Sequence, residues 1–151
     1  MFTFATYGTT SDGSLLRKFW KKIWSLPIAY KVRHFCWRAC CDTLLTKVKL
    51  RRHNVIAEDM CVCCHDKVET NGHIFLGCSK AQETGATSKL QLLPLDVHLD
   101  FFQDLLWFVV MTNAVGEEKC SQLVTTTWEL WSDRNEIHYG GEGKTGTALA
   151  L

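Results

Sequence analysis

Four cysteines and two histidines fall within eighteen residues of this chain, in the run CVCCHDKVETNGHIFLGC from Cys61 to Cys78. The spacing is Cys61-x2-Cys64, eight residues, then His73-x4-Cys78. Three thiolates and one imidazole form the donor set of a closed, four-coordinate structural Zn²⁺ site. Two residues between the first cysteines let both sulfurs reach one ion, and Asn71-Gly72 supplies a turn before the second pair. A short helix or turn over 73–77 then carries His73 and Cys78 to the other side of the metal. Cys63 and His65 compete for the ion. A Cys61/Cys63 pair has one intervening residue, which strains a tetrahedral chelate loop, so Cys64 is the expected ligand. His65 is expected to face solvent or to stand behind the ligands. With eight cysteines in the chain, accidental pairs are the rival explanation.

The elements that position this loop are helical in pattern. From Ser14, the residues Leu16, Phe19, Trp20 and Ile23 recur at i, i+3, i+4 and i+7, with Ser14 or Asp12 as a cap and Leu26-Pro27 as the stop. This aromatic stripe reads as core rather than as a base-stacking surface. A second helix runs from about Ala29 to Cys41, with Val32, Phe35, Cys36, Ala39 and Cys40 on one face and Lys31, His34 and Arg38 opposite. Cys36 and Cys40 read as small buried thiols. Thr46 caps a short basic helix, KVKLRRHN, with Leu45 and Leu50 placed as a hydrophobic staple. Beyond the loop, 79–94 reads as a linker with weak helical content. Asp96 or Asp100 caps a helix to about Asn113, striped by Phe102, Leu105, Leu106 and Val109. A last helix runs from Glu117 to about Tyr139 and carries Cys120, Leu123, Val124, Trp128 and Trp131. The fold class expected is mainly α: a small helical domain with a Cys-x2-Cys-x8-His-x4-Cys zinc loop, followed by two further helices. The divisions are a flexible leader at 1–13, the zinc-binding domain at 14–86, a helical region at 87–139 and a disordered tail at 140–151.

Composition narrows the function classes. An apolar fraction of 46%, with six Trp and eight Phe, marks a folding sequence of 151 residues. The opening MFTFATYGTT has no cationic stretch followed by a long apolar run, and no run approaches a membrane span. The expected location is therefore intracellular, nucleus or cytoplasm, with reduced cysteines free to bind metal. Neither a phosphate-cradling glycine loop nor a Ser/His/Asp arrangement of recognisable spacing occurs, so no enzyme activity is expected. Net charge is +1, yet residues 17–53 hold eleven Lys/Arg against Asp42 alone, a local balance of +10. Such asymmetry favours an acidic partner. The candidate nucleic-acid contacts are Lys31, Arg38, Lys47, Lys49, Arg51 and Arg52, reaching phosphates rather than reading bases. A protein–protein interaction module presenting 96–113 and 117–139 is the alternative.

The run FWKKIWSLPIAYKVRHFCWRACCDTLLTKVKLRRHNV, followed by MCVCCHDKVETNGHIFLGC, resembles the reverse-transcriptase zinc-binding domain of LINE-type (non-LTR) retrotransposons, a type abundant in plants. The resemblance rests on order over about 19–78. Trp20 and Trp24 come first, then Pro27 with Lys31-Val32, Phe35 to Arg38, and Leu44, Thr46 and Leu50. Cys61, Cys64, Glu69-Thr70, His73 and Cys78 follow. It implies Cys61, Cys64, His73 and Cys78 as ligands of one structural zinc and a non-catalytic accessory role on RNA or DNA. Ser79 and Gly85 stand where the family usually has proline and tryptophan, which implies looser packing after the metal. The tail WELWSDRNEIHYGG resembles the Trp-x2-Trp-x2-Arg-Asn junction that leads toward a ribonuclease H domain. The resemblance thus implies a fragment of a mobile element lacking its polymerase and nuclease domains, either still working on nucleic acid or a remnant without selected function.

Overall fold

The computed structural model of the chain describes residues 13–88, 101–112 and 115–150. Three helices lead to the cysteine-rich loop: α1 (Ser14–Trp24), α2 (Tyr30–Cys40) and α3 (Lys47–Arg52). The loop ends in a π-helical turn, His73–Gly77. After it come α4 (Ser79–Thr87), α5 (Phe102–Met111), the long α6 (Glu117–His138) and α7 (Gly146–Leu149). Among the described residues there is no strand, only an antiparallel bridge between Met60 and Val68. The fold is mainly helical, as the periodicity predicts.

Helical spacing decides what each element buries. On α1, Phe19 and Ile23 lie one turn apart and are fully buried, while Leu15, Leu16 and Trp20 pack at the margin. Gly13 occupies the cap position without a side-chain bond, and Asp12 lies outside the described residues. On α2, Val32, Phe35, Cys36, Ala39 and Cys40 are all buried, which is the face the sequence predicts. Thr46 caps α3 by accepting from the Lys49 backbone N–H at 3.5 Å, but Leu45 is exposed and cannot act as a staple. Helix α5 buries more than its predicted stripe, adding Trp107 and Val110, because it packs against both α1 and α2.

One core runs through the chain. Phe75, on the π turn, lies 5.8 Å from Phe35 of α2, 5.0 Å from Phe102 of α5 and 6.5 Å from Trp131 of α6, ring centre to ring centre. Phe19 stacks on Trp107 at 5.2 Å, joining α1 to α5.

Two whole segments also differ from the sequence expectation. Residues 79–87, within the stretch expected to be a linker with weak helical content, form the full helix α4 and bury Ala81 and Thr84. The expected disordered tail contains α7, which packs on α4 and buries Leu149. Each segment has few apolar residues, so neither shows a periodicity strong enough to read. Together they cover each other, with Thr147 Oγ1 donating to Glu83 at 2.9 Å. The expected leader (save Gly13), the second half of the expected linker and both proposed caps of α5 lie outside the described residues.

Candidate metal centre

The loop that carries the first cysteines is closed by backbone bonds. Cys61 N–H donates to Lys67 O at 2.8 Å, and Glu69 N–H donates to Asp59 O at 2.8 Å. Between them the chain turns tightly, with His65 N–H on Cys61 O at 3.0 Å and His65 itself in the left-handed region at φ 57°. His65 is exposed. Its work is to turn the chain, in a conformation that costs a histidine less than a branched residue.

The second ligand pair depends on the π turn. An α-helix rotates about 100° per residue, which would set His73 and Cys78 about 140° apart. Widening the turn brings them to one side: Cys78 N–H donates to His73 O, five residues back, at 2.7 Å. Thr70 Oγ1 accepts from His73 N–H at 3.1 Å and fixes the turn's start. Gly77 leaves room for the imidazole, since a Cβ there would sit 3.3 Å from His73 Nδ1.

These devices bring four donor atoms, from Cys61, Cys64, His73 and Cys78, within 4.8 Å of one another. Cys61 Sγ lies 3.9 Å from Cys78 Sγ, and Cys64 Sγ lies 3.3 Å from His73 Nε2. A tetrahedral zinc with bonds of about 2.3 Å to sulfur and 2.05 Å to nitrogen has donor edges of about 3.8 and 3.6 Å. The donor set therefore fits zinc in kind, number and spread. Cys61 and Cys78 are buried, and Cys64 and His73 are half-buried. Hydrogen bonds from the Cys61 and Cys63 thiols, aided by the Lys80 backbone N–H, hold the Cys78 thiol down at about 3 against its burial. The same bonds to Cys61 and Cys78, with burial, push the Cys63 thiol far up. The Cys63 backbone N–H donates to Cys61 Sγ at 3.4 Å.

Residues 3–84, more than half of the chain, match the family model described as zinc-binding in reverse transcriptase. The chain belongs to this family. No curated protein and no solved structure matches it. The part of the chain beyond the family match nevertheless reaches the zinc-binding unit. Arg134 of α6 is 3% exposed and donates to Glu69 Oε1 from Nη2 at 2.5 Å and from Nε at 3.1 Å. The same oxygen accepts the Lys47 N–H at the start of α3, at 2.8 Å. Glu69, fully buried, therefore ties the metal loop to α3 and α6 at once. The sequence marks Glu69 and Arg134 as motif positions but assigns neither a task. Their partnership spans 65 residues and leaves no local signal.

The cations proposed for nucleic acid are distributed unevenly. Lys49 pairs with Asp42 at 3.0 Å, and Arg51 pairs with Asp59 at 2.7 Å. Lys31 Nζ sits 4.4 Å over the Trp128 ring. Arg52 is exposed, and Lys47 and Arg38 are half-buried. Among the described residues no helix is long and apolar enough to cross a membrane.

Proposed function

We propose that this chain is a non-catalytic, intracellular accessory module that binds nucleic acid, with one structural zinc held by Cys61, Cys64, His73 and Cys78. Held by these four residues, zinc would crosslink the two ends of the 61–78 loop. A shell of three thiolates and one imidazole leaves no open position for a reactive water, which is why no catalysis is assigned to it. The chain's own residues do the rest. The π turn aims His73 and Cys78, Glu69 fastens the loop to α3, and Arg134 fastens both to α6.

The observation that carries the nucleic-acid reading is the +10 balance of residues 17–53, the span containing most of α1 and all of α2 and α3. The apolar sides of α1 and α2 pack inward, and Lys31, Arg38, Lys47, Lys49, Arg51 and Arg52 are exposed or half-buried. The partners of Lys49 and Arg51 do not disqualify them. Each pair keeps one partner exposed, and surface ion pairs are worth only about 0–1 kcal/mol, so a phosphate can replace a carboxylate. A retrotransposon origin accords with the family and with the motif order, and the mobile-element reading rests on these. The rival interaction module gains nothing from α5 and α6, whose apolar faces are spent on the shared core.

Binding titrations on RNA and duplex DNA at several salt concentrations test the proposal. Contact with about four phosphates gives a log–log slope of roughly −3.6 on duplex and −2.8 on single strands. Weak binding with a flat salt response overturns it in favour of a protein partner.

A further inference from the structure

Helix α2 presents a second face that neither the core nor the metal centre uses. Tyr30, His34 and Trp37 recur at i, i+4 and i+7, which places them on one stripe opposite Val32, Phe35 and Ala39. All three are exposed, Tyr30 by 71% and Trp37 by 41%. They are also ordered against one another. The Tyr30 and His34 rings stack at 6.3 Å with an interplanar angle of 22°, and His34 and Trp37 follow at 5.8 Å and 36°. A lone exposed aromatic needs no explanation, but three in register form a surface. At about 100° per residue, Arg33 flanks the stripe on one side, with Lys31 and Arg38 on the other. Arg33 Nη1 is held by the Trp24 carbonyl at 2.8 Å. The acid just past the helix end, Asp42, is engaged by Lys49 and by Asn71 Nδ2.

We propose that this stripe is a stacking platform for single-stranded nucleic acid, with the rings taking bases and the flanking cations taking phosphates. The inference rests on the nucleic-acid reading above and sharpens it to a strand whose bases are unpaired. A duplex hides base faces inside its own stack, whereas a single strand offers them to aromatic side chains without regard to sequence. From Tyr30 to Trp37 the helix rises about 10 Å, the length of about three nucleotides at 3.4 Å each. Charge decides between this occupant and a second copy of the chain. The stripe lies within the +10 segment, which would repel itself across a two-fold contact and attracts a polyanion.

The test uses the full, zinc-loaded chain with labelled oligouridylate and oligothymidylate of about 12 nucleotides, and a blunt duplex of equal length. The expected result is tighter binding to the single strands than to the duplex. Tyr30→Ala with Trp37→Ala should cost about tenfold or more on single strands and little on duplex. The salt slope should stay unchanged, because the phosphate contacts survive. Trp37→Phe should keep most of the affinity. Tyr30→Ser alone, at a ring more exposed than Trp37, serves if the double variant loses its zinc. Salt-dependent binding that is identical in wild type and variants overturns the platform while leaving the nucleic-acid reading intact. Absence of binding at low salt defeats both. Self-association lost in the double variant, with nucleic-acid binding unaltered, makes the occupant a second copy and overturns the proposal.

Discussion

Cys63 and Cys64 are neighbours in sequence with opposite places in the centre. Cys64 Sγ meets His73 Nε2 and belongs to the four-donor cluster, while Cys63 lies outside that cluster and donates its backbone N–H to Cys61 Sγ. Cys64→Ser and His73→Ala should therefore abolish stoichiometric zinc, and Cys63→Ser should retain it, as read by metal analysis of purified protein. The opposite pattern would reverse the proposed ligand assignment. Gly77 permits a second expectation at this scale. A branched side chain would press on His73 Nδ1, so Gly77→Val should weaken zinc by about tenfold, the lower end for residues that orient a ligand. Zinc competition against a chromogenic chelator measures it. The four converging residues were legible because chelate-loop spacing is a local constraint written in consecutive residues. The role of Gly77 was not legible. It depends on a π turn, and no sequence periodicity distinguishes that from an α turn over five residues.

Helix α6 shows what one element contributes beyond the family match. Its predicted stripe, Cys120 to Trp131, packs as expected, but its last turns also bury Asp133 and Arg134. Asp133 accepts from Lys80 of α4 at 2.6 Å and from the Lys144 N–H at 2.6 Å, pinning the segment that leads into α7. Arg134 binds Glu69 and lies 4.9 Å from the Trp131 ring. The Trp-x2-Trp-x2-Arg-Asn motif, which by sequence resembles a junction toward another domain, is thus built into this fold. Glu69→Ala would leave Arg134 buried without its countercharge, at a cost of about 3–5 kcal/mol. Glu69→Leu with Arg134→Met should be less destabilised than either single change, because no buried charge is stranded. Thermal melts of the zinc-loaded variants decide this. A double variant as unstable as the sum of its parts would show that the pair is not one unit. Charged residues on a helix ordinarily read as a solvated face, so burial at Asp133 and Arg134 leaves no mark in the sequence pattern.

At the scale of the whole molecule, the question is whether the zinc-binding unit and the later helices fold separately. The sequence suggests a boundary near residue 86, because the motif order ends and the polar 79–94 stretch begins. The structure places Phe75 two residues past His73 and three before Cys78, in contact with rings from α2, α5 and α6. Holding the π turn therefore also holds the residue on which the core converges. Structural zinc contributes about 10–16 kcal/mol in small peptides, while a domain's net stability is about 5–15 kcal/mol. Those magnitudes overlap, so removing the ion from this chain should cost most or all of the fold rather than loosen one loop. Chelation under reducing conditions should release amide protection in α6 together with that in α1–α3, in one cooperative step followed by hydrogen exchange. Protection of 117–138 that outlasts zinc would mean that α6 stands on its own packing. The boundary near 86 would then divide two units after all.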